Sequence, residues 1–218
     1  MVDRVLVSTH AQGLQAAIVL NKIDLLPAGS PEREEADARI AVYERVGYPV
    51  LRTSAFTGEG VPELRQLLAG RIGILIGNSG VGKSHLLNAL GEGKIAERVG
   101  AISERLKLGR HTTTTSTLHR LPVGGEEALL IDSPGARRFS IWDVEASELK
   151  DHFVEFLPFA GRCRFTDCSH LREPGCAVVE ALEAGHIQRE RYESYATIRR
   201  DLLVGREGGQ MHASQLST

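Results

Sequence analysis

The sequence predicts an α/β protein in which a mostly parallel sheet, flanked by helices, is followed by a helical C-terminal module. Three observations carry this. Short apolar runs ending in glycine or polar residues recur around 16–24, 48–55, 72–79 and 126–135, the pattern of buried strands that run into loops. Helix-spaced stretches alternate with them, as in the strand–loop–helix units that build parallel sheets. Beyond about residue 140 the strand pattern stops, and charged helical sequence surrounds a cysteine cluster.

Taken in order, residues 2–14 fit either a short helix or a strand, because the periodicity is too brief to decide. "AAIVLNKID" is a strand leading into a loop. "PEREEADARIAVYERVG" has Ile40, Tyr43 and Val46 at helical spacing, an acidic first turn and Gly47 at its end. "YPVLRTSA" is a strand, and "GVPELRQLLAG" a helix with Pro62 in its first turn. "GILIGNSG" is a strand running into glycines, and "KSHLLNALG" the helix after it. Residues 92–117 are polar and glycine-rich and read as a mobile loop. "STLHRLPV" and "EALLIDSPG" flank Gly124–Gly125 as a hairpin. "VEASELKDHFVEFLPFAG" and "VVEALEAGHIQRERYESYATIRRDLL" are helical, and 205–218 has too little to bury to be ordered.

The 218 residues, 42% hydrophobic and 25% charged, suit a globular chain with one main domain and an appendage. A formal net charge of −2 argues against a general polyanion binder but leaves room for a local basic face. No apolar run reaches the length of a membrane span, and "MVDRVLVSTH" lacks a signal-peptide core, so a cytoplasmic location with no membrane partner is expected.

Gly77-x4-Gly82-Lys83-Ser84 matches the phosphate-cradling loop, with a strand before it and a helix after. Its glycines let the backbone N–H groups of 77–84 (Gly77, Asn78, Ser79, Gly80, Val81, Gly82, Lys83, Ser84) turn toward phosphates, and the helix N-terminus adds partial positive charge. Lys83 would reach the β and γ phosphates and Ser84 would hold magnesium. In "DSPG", Asp132 would back the magnesium and Gly135 would offer an N–H to the γ-phosphate; alone, this motif is more often an ordinary strand-ending turn. In "NKID", Asp24 can accept from the N1–H and N2 amino group of guanine, an edge adenine lacks. Asn21 would brace that loop, the stem of Lys22 would cover the base, and Ser54 and Ala55 of "TSA" would meet the guanine carbonyl.

All three cysteines fall between 163 and 176. Cys163-x4-Cys168-x-His170-x5-Cys176 offers three thiolates and an imidazole, a set suited to one closed structural zinc; reduced cysteines in a small core are the alternative.

The base-reading loop precedes the phosphate loop, the reverse of the usual order. Such an order resembles the circularly permuted GTPases. With the cysteine cluster, the motifs "VLNKIDLL", "TSAFTGEG", "GNSGVGKSHLLNAL", "GRHTTTT", "IDSPGARRF" and "CRFTDCSHLREPGC" resemble one family, the ribosome small subunit-dependent GTPase A proteins, RsgA or YjeQ.

The resemblance implies a circularly permuted P-loop GTPase domain over 1–142, a zinc-binding helical domain over 143–204 and a tail over 205–218. It implies GTP hydrolysis with magnesium, stimulated by the small ribosomal subunit late in its maturation, contact with ribosomal RNA, and a monomer. Ala136 stands where ordinary GTPases place a glutamine, and His111 matches the family's catalytic histidine; an exposed loop histidine is the bland alternative. Thr113 matches the switch threonine on magnesium, with its register open by one among Thr112 to Thr115. Family members carry an N-terminal OB-fold domain and a further strand before the first helix, so this sequence reads as a truncated or short form.

A nucleotide-switched RNA-binding module is the second reading. Arg105, Lys107, Arg110, Arg120, Arg137 and Arg138 outnumber Glu126, Glu127 and Asp132 beside the switches. An ATPase is disfavoured by Asp24.

Overall fold

The computed structural model describes residues 1–92, 117–123, 125–132 and 144–214; for Asp132 and 205–214 it describes the backbone alone. The chain divides into two compact units. One holds Ala17–Glu44 and Tyr48–Phe139, the other Met1–Ala16, Arg45–Gly47 and Ser140–Thr218.

In the first unit, β1 (Ile18–Asn21) is followed by α2 (Pro31–Val46), β2 (Val50–Thr53), α3 (Val61–Leu68), β3 (Ile72–Ile74), α4 (Lys83–Leu90), β4 (Thr117–Val123) and β5 (Glu126–Asp132). β1 lies parallel to β2, with Asn21 opposite Thr53. β3 lies parallel to β5, with Ile74 opposite Ile131, and β4 pairs antiparallel to β5 as the expected hairpin. Among the described residues the strands therefore form two sheets, β1-β2 and β3-β5-β4, where the sequence predicts one. In each sheet the carboxyl ends of the parallel strands stand level. The loops that follow them open on one edge, the place where α/β folds bind ligands.

The core of this unit is aliphatic. Val61 and Leu64 of α3, Leu86, Leu87 and Leu90 of α4, and Leu121, Val123, Ala128 and Leu130 of the hairpin are all buried. Each leucine buried in this way contributes about 1.5–3 kcal/mol. The helical spacing of 86, 87 and 90 fixes one face of α4 inward and so fixes the direction of its N-terminus. α3 begins at Gly60, with φ +68°, and a Cβ there would lie 1.9 Å from the Arg52 carbonyl oxygen. Only glycine fits between α3 and β2 at that point.

In the second unit, α1 (Val2–Ala11) settles the open choice at 2–14 as helix. Although the sequence places residues 1–16 with the nucleotide-binding part, Val7 of α1 belongs to the core of this unit. The reason is a buried charge. Arg191 is 1% exposed; it donates to Asp3 and, through Nε at 2.6 Å and Nη2 at 3.1 Å, to both oxygens of Glu155. Its guanidinium also lies 4.6 Å from the centroid of Phe153.

The stretch after 143 expected to be helical is divided into 3-10 turns, Leu149–His152 and Val154–Phe156, and a short α5 (Leu157–Ala160). Pro158 stands in the first turn of α5, and three large residues, Leu149, Phe153 and Phe156, all reach one core. α6 (Ala177–Glu183) and α7 (Arg189–Ser214) complete the unit. α7 runs to Ser214, so the backbone through most of 205–218 is helical where the sequence reads irregular. No helix among the described residues is long and apolar enough to cross a membrane.

Candidate functional site

Asn21 holds two loops together. As the last residue of β1 it stands in register with Thr53, whose hydroxyl donates to its Oδ1 at 3.2 Å, and the Ala55 N–H donates to the same oxygen at 3.2 Å. Its Nδ2 donates to the Val81 carbonyl at 3.0 Å, joining the NKID loop to the phosphate loop across 60 residues of sequence. The fit is close, because a Cβ on Gly82 would lie 2.5 Å from that Nδ2 and 3.5 Å from Cε of Lys22. Gly80 and Gly82 take φ of +84° and +92°, and Gly82 caps α4. These are left-handed positions that admit glycine at least cost.

Lys22 itself takes φ +69°, which turns the chain so that the exposed Asp24 follows it. Ser54, fully buried, donates to Oδ1 of Asp24 at 2.5 Å and accepts from the N–H groups of Phe56 at 3.2 Å and Thr57 at 3.0 Å. The Asp24 carboxylate is thereby oriented by the "TSA" loop. Lys83 donates from Nζ to the carbonyls of Gly77 at 2.7 Å and Asn78 at 2.8 Å, so its ammonium lies against the phosphate loop. Ser84 is the second residue of α4, exposed on its first turn. The sequence-predicted residues Asn21, Lys22, Asp24, Ser54, Ala55 and 77–84 are thus brought to one edge. Asp132 ends β5 beside them in backbone position. His111, Thr113 and Gly135 lie outside the described residues.

The second cluster is Cys163, Cys168, His170 and Cys176, whose ligand atoms all lie within 4.8 Å of one another. Sγ of Cys163 and Sγ of Cys176 each stand 3.5 Å from Nδ1 of His170, and the two sulfurs are 4.0 Å apart. A tetrahedral centre with the usual metal–sulfur and metal–nitrogen bonds needs about 3.8 Å between sulfurs and about 3.5 Å between sulfur and nitrogen. The four residues fit one metal ion, and with all four positions filled the centre is closed. Burial pushes the Cys168 thiol up to about 12 and raises that of Cys176. Burial likewise lowers His170, which favours the neutral imidazole that a metal binds. A dication bound here would permit three thiolates to sit together.

Residues the sequence reading missed hold this cluster. His170 is 1% exposed and takes φ +59°. The Tyr192 hydroxyl fixes it by donating to the carbonyls of His170 at 2.8 Å and Leu171 at 3.2 Å, while Tyr195 donates to the Ser169 carbonyl at 2.5 Å. Glu173 accepts from the N–H groups of Ser169, Leu171 and Arg172 at 2.8–3.0 Å. Burial alone would raise its carboxyl; hydrogen bonds from Ser169 and the neighbouring backbone outweigh this and hold it well below the usual range. Lys150 donates to the Cys168 carbonyl at 3.2 Å. The spacing of Tyr192 and Tyr195 on one helix face was visible in the sequence; the loop they grip was not.

A phosphate loop and a guanine-type loop, joined by Asn21 in rotated order and accompanied by a Cys3His cluster that could hold a metal ion, define the class: a circularly permuted P-loop GTPase fold with a helical part that carries the cluster. The chain belongs to the RsgA GTPase family, whose model matches residues 1–142. It is 46% identical over 198 residues to the small ribosomal subunit biogenesis GTPase RsgA of Azotobacter vinelandii, covering 91% of this chain and 56% of that protein. It is 48% identical to the Gemmatimonas aurantiaca protein of the same name, covering 94% and 64%. The crystal structure of YjeQ from Thermotoga maritima superposes with a TM-score of 0.75 at 37% identity, covering 93% of this chain and 65% of that one. YloQ, described as a circularly permuted GTPase, gives 0.70 at 28% identity, covering 92% and 61%. The chain spans little more than half the length of the first of these relatives.

Proposed function

We propose that the chain binds GTP and hydrolyses it to GDP and phosphate, stimulated by the small ribosomal subunit, as a cytoplasmic monomer acting late in that subunit's maturation. The observation that carries this reading is Asn21, whose amide joins the base-reading and phosphate loops into one nucleotide cradle. The names of the relatives, small ribosomal subunit biogenesis GTPases, supply the partner.

In this reading Asp24, held by Ser54, reads the guanine edge, and the stem of Lys22 covers the base. The Lys83 ammonium moves from its carbonyl partners to the β and γ phosphates. Magnesium, when bound with the nucleotide, neutralises phosphate charge and is held by Ser84 and Thr113, with Asp132 behind. Gly135 offers its N–H to the γ-phosphate. His111 accepts from and orients the attacking water, the task that Ala136 cannot perform. Zinc is the ion we assign to Cys163, Cys168, His170 and Cys176, with a structural role in a domain over 143–204. Ribosomal RNA is the surface the subunit offers.

Phosphate release from GTP, measured with and without purified small subunits, tests the function. Slow turnover that rises strongly with subunits is expected; equal rates in both would overturn the partner, and no GTP-dependent release would overturn the activity. His111→Ala should retain GTP binding and lose the stimulated turnover.

A further inference from the structure

Apart from the nucleotide loops and the cysteine cluster, two histidines converge among the described residues. His10, near the end of α1, and His152, ending the 3-10 turn Leu149–His152, face each other with Nδ1 atoms 3.1 Å apart, ring centroids 5.4 Å apart and ring planes inclined at 64°. They are 142 residues apart in sequence and lie in the same compact unit. Their approach is set in advance, because the other end of α1 is anchored: Asp3 accepts from the buried Arg191 and from Ser194 at 2.5 Å, and Arg4 pairs with Asp201.

We propose that His10 and His152 form a second, exchangeable metal site, selective for a nitrogen-preferring divalent transition ion such as Ni2+, Cu2+ or Zn2+. Two imidazole nitrogens bound at about 2.0–2.1 Å and spaced as these are subtend about 98° at the metal, between the octahedral and tetrahedral angles, so the spacing suits two adjacent ligands once the rings rotate out of their direct N···N contact. Imidazole pairs suit these ions and are poor ligands for magnesium or calcium. Burial, and then the neighbouring His10, lowers the pKa of His152 against the opposing pull of Asp151 and Glu148, which keeps the ligand-competent neutral ring at pH 7. His10 is exposed, so the remaining coordination positions are open to water and the ion exchanges. This distinguishes the site from the closed Cys3His centre. A bound ion would tie α1 to the segment carrying His152 and stiffen the helix from which the chain runs on to β1.

The test is titration of the full, zinc-loaded chain with Ni2+, followed by calorimetry and by imidazole NMR. One equivalent of Ni2+ beyond the zinc is expected, with paramagnetic broadening first at His10 and His152 rather than at His85, His119 or His186. His10→Gln, an exposed change that leaves the fold intact, should weaken Ni2+ by more than the ~10–100-fold that outer-shell partners carry, and His152→Gln should do the same. Affinity should fall as the pH drops through the imidazole range. Unchanged Ni2+ binding in His10→Gln, broadening centred on other histidines, or no saturable binding would show that the pair is an N–H···N hydrogen bond only and overturn the proposal. Should His152→Gln fail to fold, His10→Gln and the broadening pattern decide alone.

Discussion

The two units build their sites by opposite means. In the unit with the phosphate loop the core cluster is aliphatic, and the candidate site side chains other than the buried Ser54 stand half-buried or exposed at strand ends, held by loop-to-loop hydrogen bonds such as those of Asn21. In the helical unit the ligands Cys168, His170 and Cys176 are themselves part of the buried interior, packed with Phe153, Phe156 and Tyr195. The rings of Phe156 and Tyr195 lie 5.0 Å apart, and Phe156 stands edge-on to His170 at 6.1 Å. The difference teaches what each site can do. The proposed nucleotide cradle is open and is supported from behind. The Cys3His cluster is built into the core, so an ion held there would be tied to the fold.

The sharpest way to break the comparison is to remove the metal. Structural zinc contributes about 10–16 kcal/mol of apparent binding free energy in small domains. Chelation, or Cys176→Ser, should therefore unfold the helical unit while GDP binding persists. Segment-resolved hydrogen exchange checks this: loss of protection in α6 and α7 with protection kept in α4 and β5 is expected.

Next in size is Arg191→Met. It leaves Asp3 and Glu155 buried without their cation and should cost about 3–5 kcal/mol, read from the denaturation midpoint of the zinc-loaded protein. In the nucleotide-binding unit, Asn21→Ala removes bonds to Val81 and Ala55. The two loops then lose their common anchor while the freed groups at this edge reach solvent, so GDP affinity should fall roughly 10- to 100-fold, about 1.4–2.7 kcal/mol, with little change in thermal midpoint. A large loss of stability instead would mean that this site, too, is part of its core.

The smallest effect is expected from Glu173→Gln, compared with the parent across pH. The folded carboxyl is depressed, so its contribution to stability is present above about 4.5, its ordinary value, and is lost as pH falls through the folded pKa. The difference between parent and variant should be constant near neutrality and shrink below that value; a difference independent of pH would show that charge at Glu173 does not matter.

Much of both sites was legible because their chemistry is local in sequence. The glycine loop at 77–84 and the spacing of the Cys3His cluster are each visible in one short stretch, and the hairpin around 124–125 follows from two apolar runs and a glycine turn. What failed was long-range. Residues 2–14 carry too few turns for their period to decide between helix and strand, and no local signal says that α1 packs with residues 140 positions later. Glu173 and Tyr192 look like ordinary surface residues until the loop they hold has folded against them.

By itself, then, the sequence determined most of the element types, the rotated order of the two loops and the residues of the Cys3His cluster, since each is read from short stretches of chain. Only the tertiary structure decided which unit owns α1, that Asn21 bonds to Val81, and that His10 meets His152. Those contacts depend on where distant segments are brought by burial of nonpolar surface and pairing of buried charge, which are properties of the whole chain and of no single stretch of it.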